Sequence, residues 1–187
     1  MADPAESYER MLTANLQRAI EFLRFAEAKN AALLALASGW AIAGVNLEGN
    51  GRTMPGRFPF FVPLAVLFSL CAAVLALWSF LPRLHLPSFL GGKRAGPHPH
   101  NLLYFGDISA LTVKSLEAEM RSRYYPQEAT PRGEYTHDLI TQISVNSTIA
   151  MRKMRLFRVG IGFVLLAGAS LLVPALAAAL KAVKAPW

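Results

Sequence analysis

The chain has 187 residues, 53% hydrophobic and only 17% charged, with a mean hydropathy of +0.33. That is room for about one domain, and a composition too apolar for an ordinary soluble one. The formal charge of +7 would suit nucleic acid, but the basic residues gather beside apolar runs, at Arg83–Arg94 and Arg152–Arg158, as membrane orientation requires, so no nucleic-acid partner is expected.

Residues 1–30 form the first expected element, a cytosolic amphipathic helix, helical from about residue 5. Ser7 is a candidate cap, with Glu6 and Glu9 favourably close to the positive end of the helix. Leu12, Leu16, Ala19, Leu23 and Ala26 recur at three- and four-residue spacing and give one narrow apolar stripe. The stripe packs either on the rest of the cytosolic part or, like a coiled-coil seam, on another subunit. The acidic start, Met1 to Glu6, lacks the positive region of a signal peptide, so none is expected.

No breaker separates this helix from a first span at 31–47, so the two read as continuous. Ala31, Ala35, Gly39 and Ala43 line up every four residues, a face that lets another helix approach closely, from the same chain or from a second copy. Residues 48–59 read as a periplasmic loop rich in Gly and Pro, carrying Arg52 and Arg57. The second span is 60–81, with Pro63 in its first turn. The single cysteine, Cys71, lies inside it and has no partner for an intramolecular disulfide.

Residues 82–158 read as a cytosolic sensing region. Its first part, His85–Asn101, has the Pro and Gly density of an extended linker. His98-x-His100 is half a metal site at most, because no third ligand lies at a suitable spacing, so no metal is expected. Leu102–Ile108 is an apolar-aromatic knot, and a helix follows from Thr112 to Arg123, ended by Tyr124-Tyr125-Pro126 and a turn at 127–133. A long helix then runs from Tyr135 to about Leu180. It is amphipathic at first, passes a basic collar at Arg152, Lys153, Arg155 and Arg158, and enters an uncharged third span at 159–180, with Pro174 as the place where a kink would fall. About 22 apolar residues give about 33 Å of helix, enough to cross the hydrocarbon core. The chain ends in a short tail, 181–187.

The fold class expected is thus an all-α membrane protein: three transmembrane helices, an N-terminal amphipathic helix, and a small helical cytosolic region between spans two and three. The positive-inside rule places the N-terminus and residues 82–158 in the cytoplasm, with Lys181 and Lys184 in mild conflict.

No catalytic motif is present: no G-x-S-x-G, P-loop, H-E-x-x-H or C-x-x-C. His137 and Asp138 are adjacent on a helix and point about 100° apart, so they do not form an acid/base pair. The expectation is a protein that is not an enzyme and carries no cofactor. Asp138, Gln142 and Asn146 make a polar stripe of four-residue period, either a solvated face or one wall of a pocket. The other wall would come from Asn101, Tyr104 and Phe105 and from Arg121. Together these offer rings for stacking a base, amides for its edge and a guanidinium for phosphate, so they are the candidate ligand-binding residues.

The run Asn101-Leu102-Leu103-Tyr104-Phe105-Gly106-Asp107-Ile108, followed by Asp138-x3-Gln142-x3-Asn146-Ser147-x-Ile149-Ala150-x2-Lys153 leading into a span, resembles the transmembrane effectors of Pycsar, the bacterial pyrimidine cyclase system for antiphage resistance. Glu27-Ala28-Lys29 entering the first span also fits that family. The resemblance implies an abortive-infection effector in the bacterial inner membrane. A neighbouring cyclase makes cyclic CMP or cyclic UMP on infection; the effector senses it and compromises the membrane. Membrane lipid and further copies of the chain, as a homo-oligomer, are the other partners expected. Two other classes stand beside this one: a membrane-anchored adaptor for a partner protein, and a constitutive holin-like pore. A cytosolic region of about 75 residues is more than a simple pore needs.

Overall fold

The computed structural model describes residues 4–49, 58–81, 100–125 and 133–184. Every regular element among them is a helix: α1 (Pro4–Gly49), α2 (Phe58–Phe80), the short α3 (Phe105–Ile108), α4 (Val113–Tyr124) and α5 (Glu134–Lys184). The all-α class read from the sequence is the one observed. The three longest helices, α1, α2 and α5, are long and apolar enough to cross a membrane. Arg52 and Arg57, the linker with Arg83, Lys93, Arg94 and His98, and the turn after Tyr125 lie outside the described residues.

The chain divides into two compact units, Met1–Ala26 with Pro82–Met154 and Glu27–Leu81 with Arg155–Trp187. α1 and α5 contribute residues to both.

In the first unit the core is made of large side chains. Leu12 of α1, Leu102 and Ile108, Leu116 and Met120 of α4, and Leu139, Ile140 and Ile143 of α5 are buried in one cluster. Each such side chain contributes about 1.5–3 kcal/mol through the area it removes from water. α4 starts where the sequence reading placed it: Thr112 is extended, and its hydroxyl accepts the Ser115 N–H at 3.2 Å. Arg121 and Arg123 in its last turn suit the negative end of the helix. α1, by contrast, begins at Pro4 rather than at a Ser7 cap, because proline at the first helical position loses no bond.

In the second unit the interior is lined by small residues. Ala37 and Leu33 of α1, Ala72, Ala73 and Ala76 of α2 and Val164 of α5 form its buried cluster. Gly160 is one reason the helices approach so closely, since a β-carbon there would lie 2.5 Å from Leu33 Cδ2. The inward face of α1 is therefore Leu33, Ala37, Ala41 and Gly44, not the Ala31, Ala35, Gly39 and Ala43 face, which is exposed within this unit. α2 starts two residues earlier than expected, which moves Pro63 out of the first turn to the sixth helical position. α5 is helical through Pro174 to Lys184, so the first residues of the expected tail continue the helix.

Candidate functional site

The candidate ligand residues all belong to the first unit. Asn101, Tyr104 and Phe105 sit on one short connection, held by local hydrogen bonds. Asn101 Oδ1 accepts the Leu103 N–H at 3.0 Å, and the Asn101 N–H donates to Asp107 Oδ2 at 2.9 Å. This Asx turn uses the side-chain oxygen of the exposed Asn101 and leaves its Nδ2 group as a donor outside the turn. Tyr104 is 44% exposed, and its ring lies 4.9 Å from that of Phe105. Gly106 permits this placement, because a β-carbon there would collide with the Tyr104 ring. Phe105 is buried between Tyr104 and Phe22, whose centroid is 4.7 Å away, so its ring backs the exposed tyrosine.

Arg121 is half-buried on α4 and acts electrostatically on Tyr8. Burial pushes the Tyr8 phenol above its usual range, Arg121 opposes the shift and Glu117 adds to it. The Tyr8 ring also lies 5.4 Å from Tyr125, joining the start of α1 to the end of α4.

Asp138, Gln142 and Asn146 do lie along one side of α5, and the Asn146 amide donates to the Gln142 carbonyl at 2.9 Å. A four-residue step gains about 40° on a helix, so the stripe rotates as it proceeds. Asp138 and Gln142 are exposed, and Asn146 is half-buried. Among the described residues no hydrogen bond or ion pair joins these three to Asn101, Tyr104 or Arg121. The structure thus groups the loop residues with one another and the α5 residues with one another.

Two clusters carry chemistry that the sequence reading left aside. Arg123 bridges His100 and Glu119: it donates to the His100 carbonyl at 2.6 Å and to Glu119 Oε2 at 3.0 Å, while His100 Nδ1 lies 3.1 Å from Glu119 Oε1. His137 Nδ1 lies 3.3 Å from Glu117 Oε2. Both histidines thus tie their segments to carboxylates of α4, and no group suited to hold a metal occurs among the described residues. The Arg123 clamp was findable only as a charged α4 face. The second cluster surrounds an open cavity of about 540 Å³ between the starts of α1 and α5, lined by Glu6, Glu9, Arg10, Thr13, Gln17 and Tyr135 among others. None of the candidate residues lines it, and its two carboxylates, with Arg10 already paired to Glu6, oppose a phosphate.

Residues 11–181 match the family model of the Pycsar effector protein domain. The chain is also 36% identical over 168 residues to the Pycsar effector protein RsPycTM of a Rhizobium species, covering 87% of this chain and 91% of that relative. No solved structure matches.

Proposed function

Because the chain belongs to the Pycsar effector family, we propose that this antiphage membrane effector is switched on by a cyclic pyrimidine nucleotide, cyclic CMP or cyclic UMP, made by a partner cyclase, and then impairs the bacterial inner membrane. Family membership across residues 11–181 is the observation that carries the reading. The chemistry of the first unit supports it. Tyr104 offers an exposed ring for the base, Asn101 and Asn146 offer amides, and Arg121 offers a charge for the phosphate. Asp138 and Gln142 complete the set in the packing that the nucleotide favours, with Phe105 behind the Tyr104 ring.

The basic collar at Arg152–Arg158 supports an orientation with the N-terminus and residues 82–158 in the cytoplasm. A nucleotide that binds one packing of the cytosolic part more tightly shifts the population towards it. Moving from mostly resting to mostly active requires about 5.5 kcal/mol of differential affinity. α1 and α5 are helical throughout from the cytosolic unit into the apolar one, which gives the shift a covalent route. The exposed Ala31, Ala35, Gly39 and Ala43 face suits assembly with further copies in the bilayer.

The test is thermal melting of the detergent-purified protein against cyclic CMP, cyclic UMP, cyclic AMP and cyclic GMP. A ligand of the folded state must raise the melting temperature as its concentration passes its dissociation constant. Protection by one pyrimidine nucleotide, lost in Arg121→Gln, is expected. Absence of protection by all of them at millimolar concentration would sink the reading and favour the adaptor.

A further inference from the structure

The segment 101–106 of the first unit lies across two helices. On α1 it meets Asn15, whose Nδ2 donates to the Leu102 carbonyl at 3.1 Å, and Phe22, whose ring centroid is 4.7 Å from that of Phe105. On α5 it meets Met151, since a β-carbon on Gly106 would lie 3.0 Å from Met151 Cε. Ile143, about two turns before Met151, is buried in the same cluster as Leu102. Residues four apart share a side of a helix, so Ser147, halfway between Ile143 and Met151, stands beneath the segment.

Ser147 is fully buried, and among the described residues its hydroxyl has no hydrogen-bond partner. Other helical hydroxyls of the chain turn back on their own backbone. Thr13 donates to the Glu9 carbonyl at 2.9 Å, Thr148 to that of Ser144 at 2.8 Å and Ser170 to that of Leu166 at 2.8 Å. Ser147 makes no such bond to Ile143. A buried hydroxyl without a partner is costly to a fold, and nearly all find one. This one stands where the two groups of candidate residues approach each other, with Asn146 before it on α5 and Tyr104 and Phe105 on the segment above. No hydrogen bond joins those groups among the described residues, and the Ser147 hydroxyl is an unused polar group between them.

We infer that Ser147 is a binding residue at the buried end of the nucleotide site: its hydroxyl donates to the pyrimidine base, and the 101–106 segment is the lid that admits the base. The inference rests on the proposed nucleotide reading and adds to it the residue that the base reaches furthest inside. Cytosine and uracil both carry a 2-oxo group, which accepts such a donor, so the contact serves either base. The lid brings the rings of Tyr104 and Phe105 to the same base for stacking. Binding gives the hydroxyl the partner that it lacks with the lid down, so the ligand favours the packing that admits it.

The test combines thermal melting and equilibrium dialysis of the full-length, detergent-purified protein with cyclic CMP and cyclic UMP. Ser147→Ala removes the unpartnered hydroxyl and should raise the melting temperature of the ligand-free protein by about 2–4 °C. The same variant should bind the protective nucleotide about tenfold more weakly, the loss of one hydrogen bond. Thr148→Ala, which removes a hydroxyl already bonded, should leave the dissociation constant in place. A ligand-free melting temperature lowered by Ser147→Ala would overturn the proposal, because the hydroxyl would then have a partner of its own, a buried water. Wild-type affinity in Ser147→Ala would overturn it too, and would leave the nucleotide reading standing. Failure of both nucleotides to bind or protect the wild-type protein would sink that reading and this inference with it.

Discussion

In the first unit α1 buries Leu12 among Leu116, Met120 and Ile143; in the second the same helix buries Ala37 among Ala72, Ala76 and Val164. Many large apolar side chains of the second unit point outward instead, Phe60 at 72% exposure and Leu165 at 68%. One helix thus obeys two packing rules along its length. In water, burying a large side chain is favourable in proportion to its area, so the big residues go inside. In lipid the surroundings are as apolar as leucine, and what holds helices together is close approach, for which small residues are needed inside.

The sharpest way to break this contrast is to shrink the first core and swell the second. Ile143→Ala should destabilise the protein by about 2–5 kcal/mol through the lost contacts and the cavity left behind. Hydrogen exchange should then speed up in α4 while α2 keeps its protection. Ala72→Leu should cost about 1–3 kcal/mol by overpacking, with the loss of protection in α2 instead. If Ala72→Leu were neutral or stabilising, close approach would not be what holds the second unit. A smaller effect is expected at Asn15, a buried polar residue that sits in the α1 stripe. Its Nδ2 donates to the Leu102 carbonyl at 3.1 Å, and Asn15→Ala should cost about 1–2 kcal/mol in denaturant unfolding by leaving that carbonyl unpaired.

The smallest effect is confined to alkaline pH. Tyr8 holds its proton more tightly folded than unfolded, so its contribution to stability is complete below pH about 10. That contribution falls away as the pH rises through the raised value of the folded state. Tyr8→Phe should flatten the alkaline arm of a stability–pH curve, and an unchanged arm would count against a half-buried phenol.

What could be read from the sequence alone was the helical framework, because its signals are local. Thr112 caps α4 by a bond to Ser115 three residues on, and the absence of a breaker between Ala26 and Ala31 made α1 continuous. What could not be read depended on partners distant in the chain. Asn15 is buried because its Nδ2 meets a carbonyl 87 residues away, a partner that no local pattern points to. The first span carries small residues on more than one face, and periodicity cannot say which face meets α2 and α5. Gly160, opposite Leu33, settles that choice in favour of Ala37 and Gly44. The candidate ligand residues come from three stretches of the chain, the 101–105 connection, Arg121 of α4 and the α5 stripe. Their mutual placement was not legible, because a stripe with a period of four turns gradually away from the face on which it began.

Ser170 shows how such a small-residue interior behaves under displacement. It is buried in the second unit, yet its hydroxyl donates at 2.8 Å to the Leu166 carbonyl of its own helix. The proton is satisfied one turn back, so at this point α5 carries no polar latch to a neighbour. Sliding there interrupts dispersion contacts, each about 0.1–0.2 kcal/mol, and orphans no hydroxyl. Alanine at positions 72 and 76 and at 37 and 41 repeats every four residues, so a shift of about 6 Å presents methyl groups to methyl groups again. A seam of this kind behaves as a ratchet with shallow teeth.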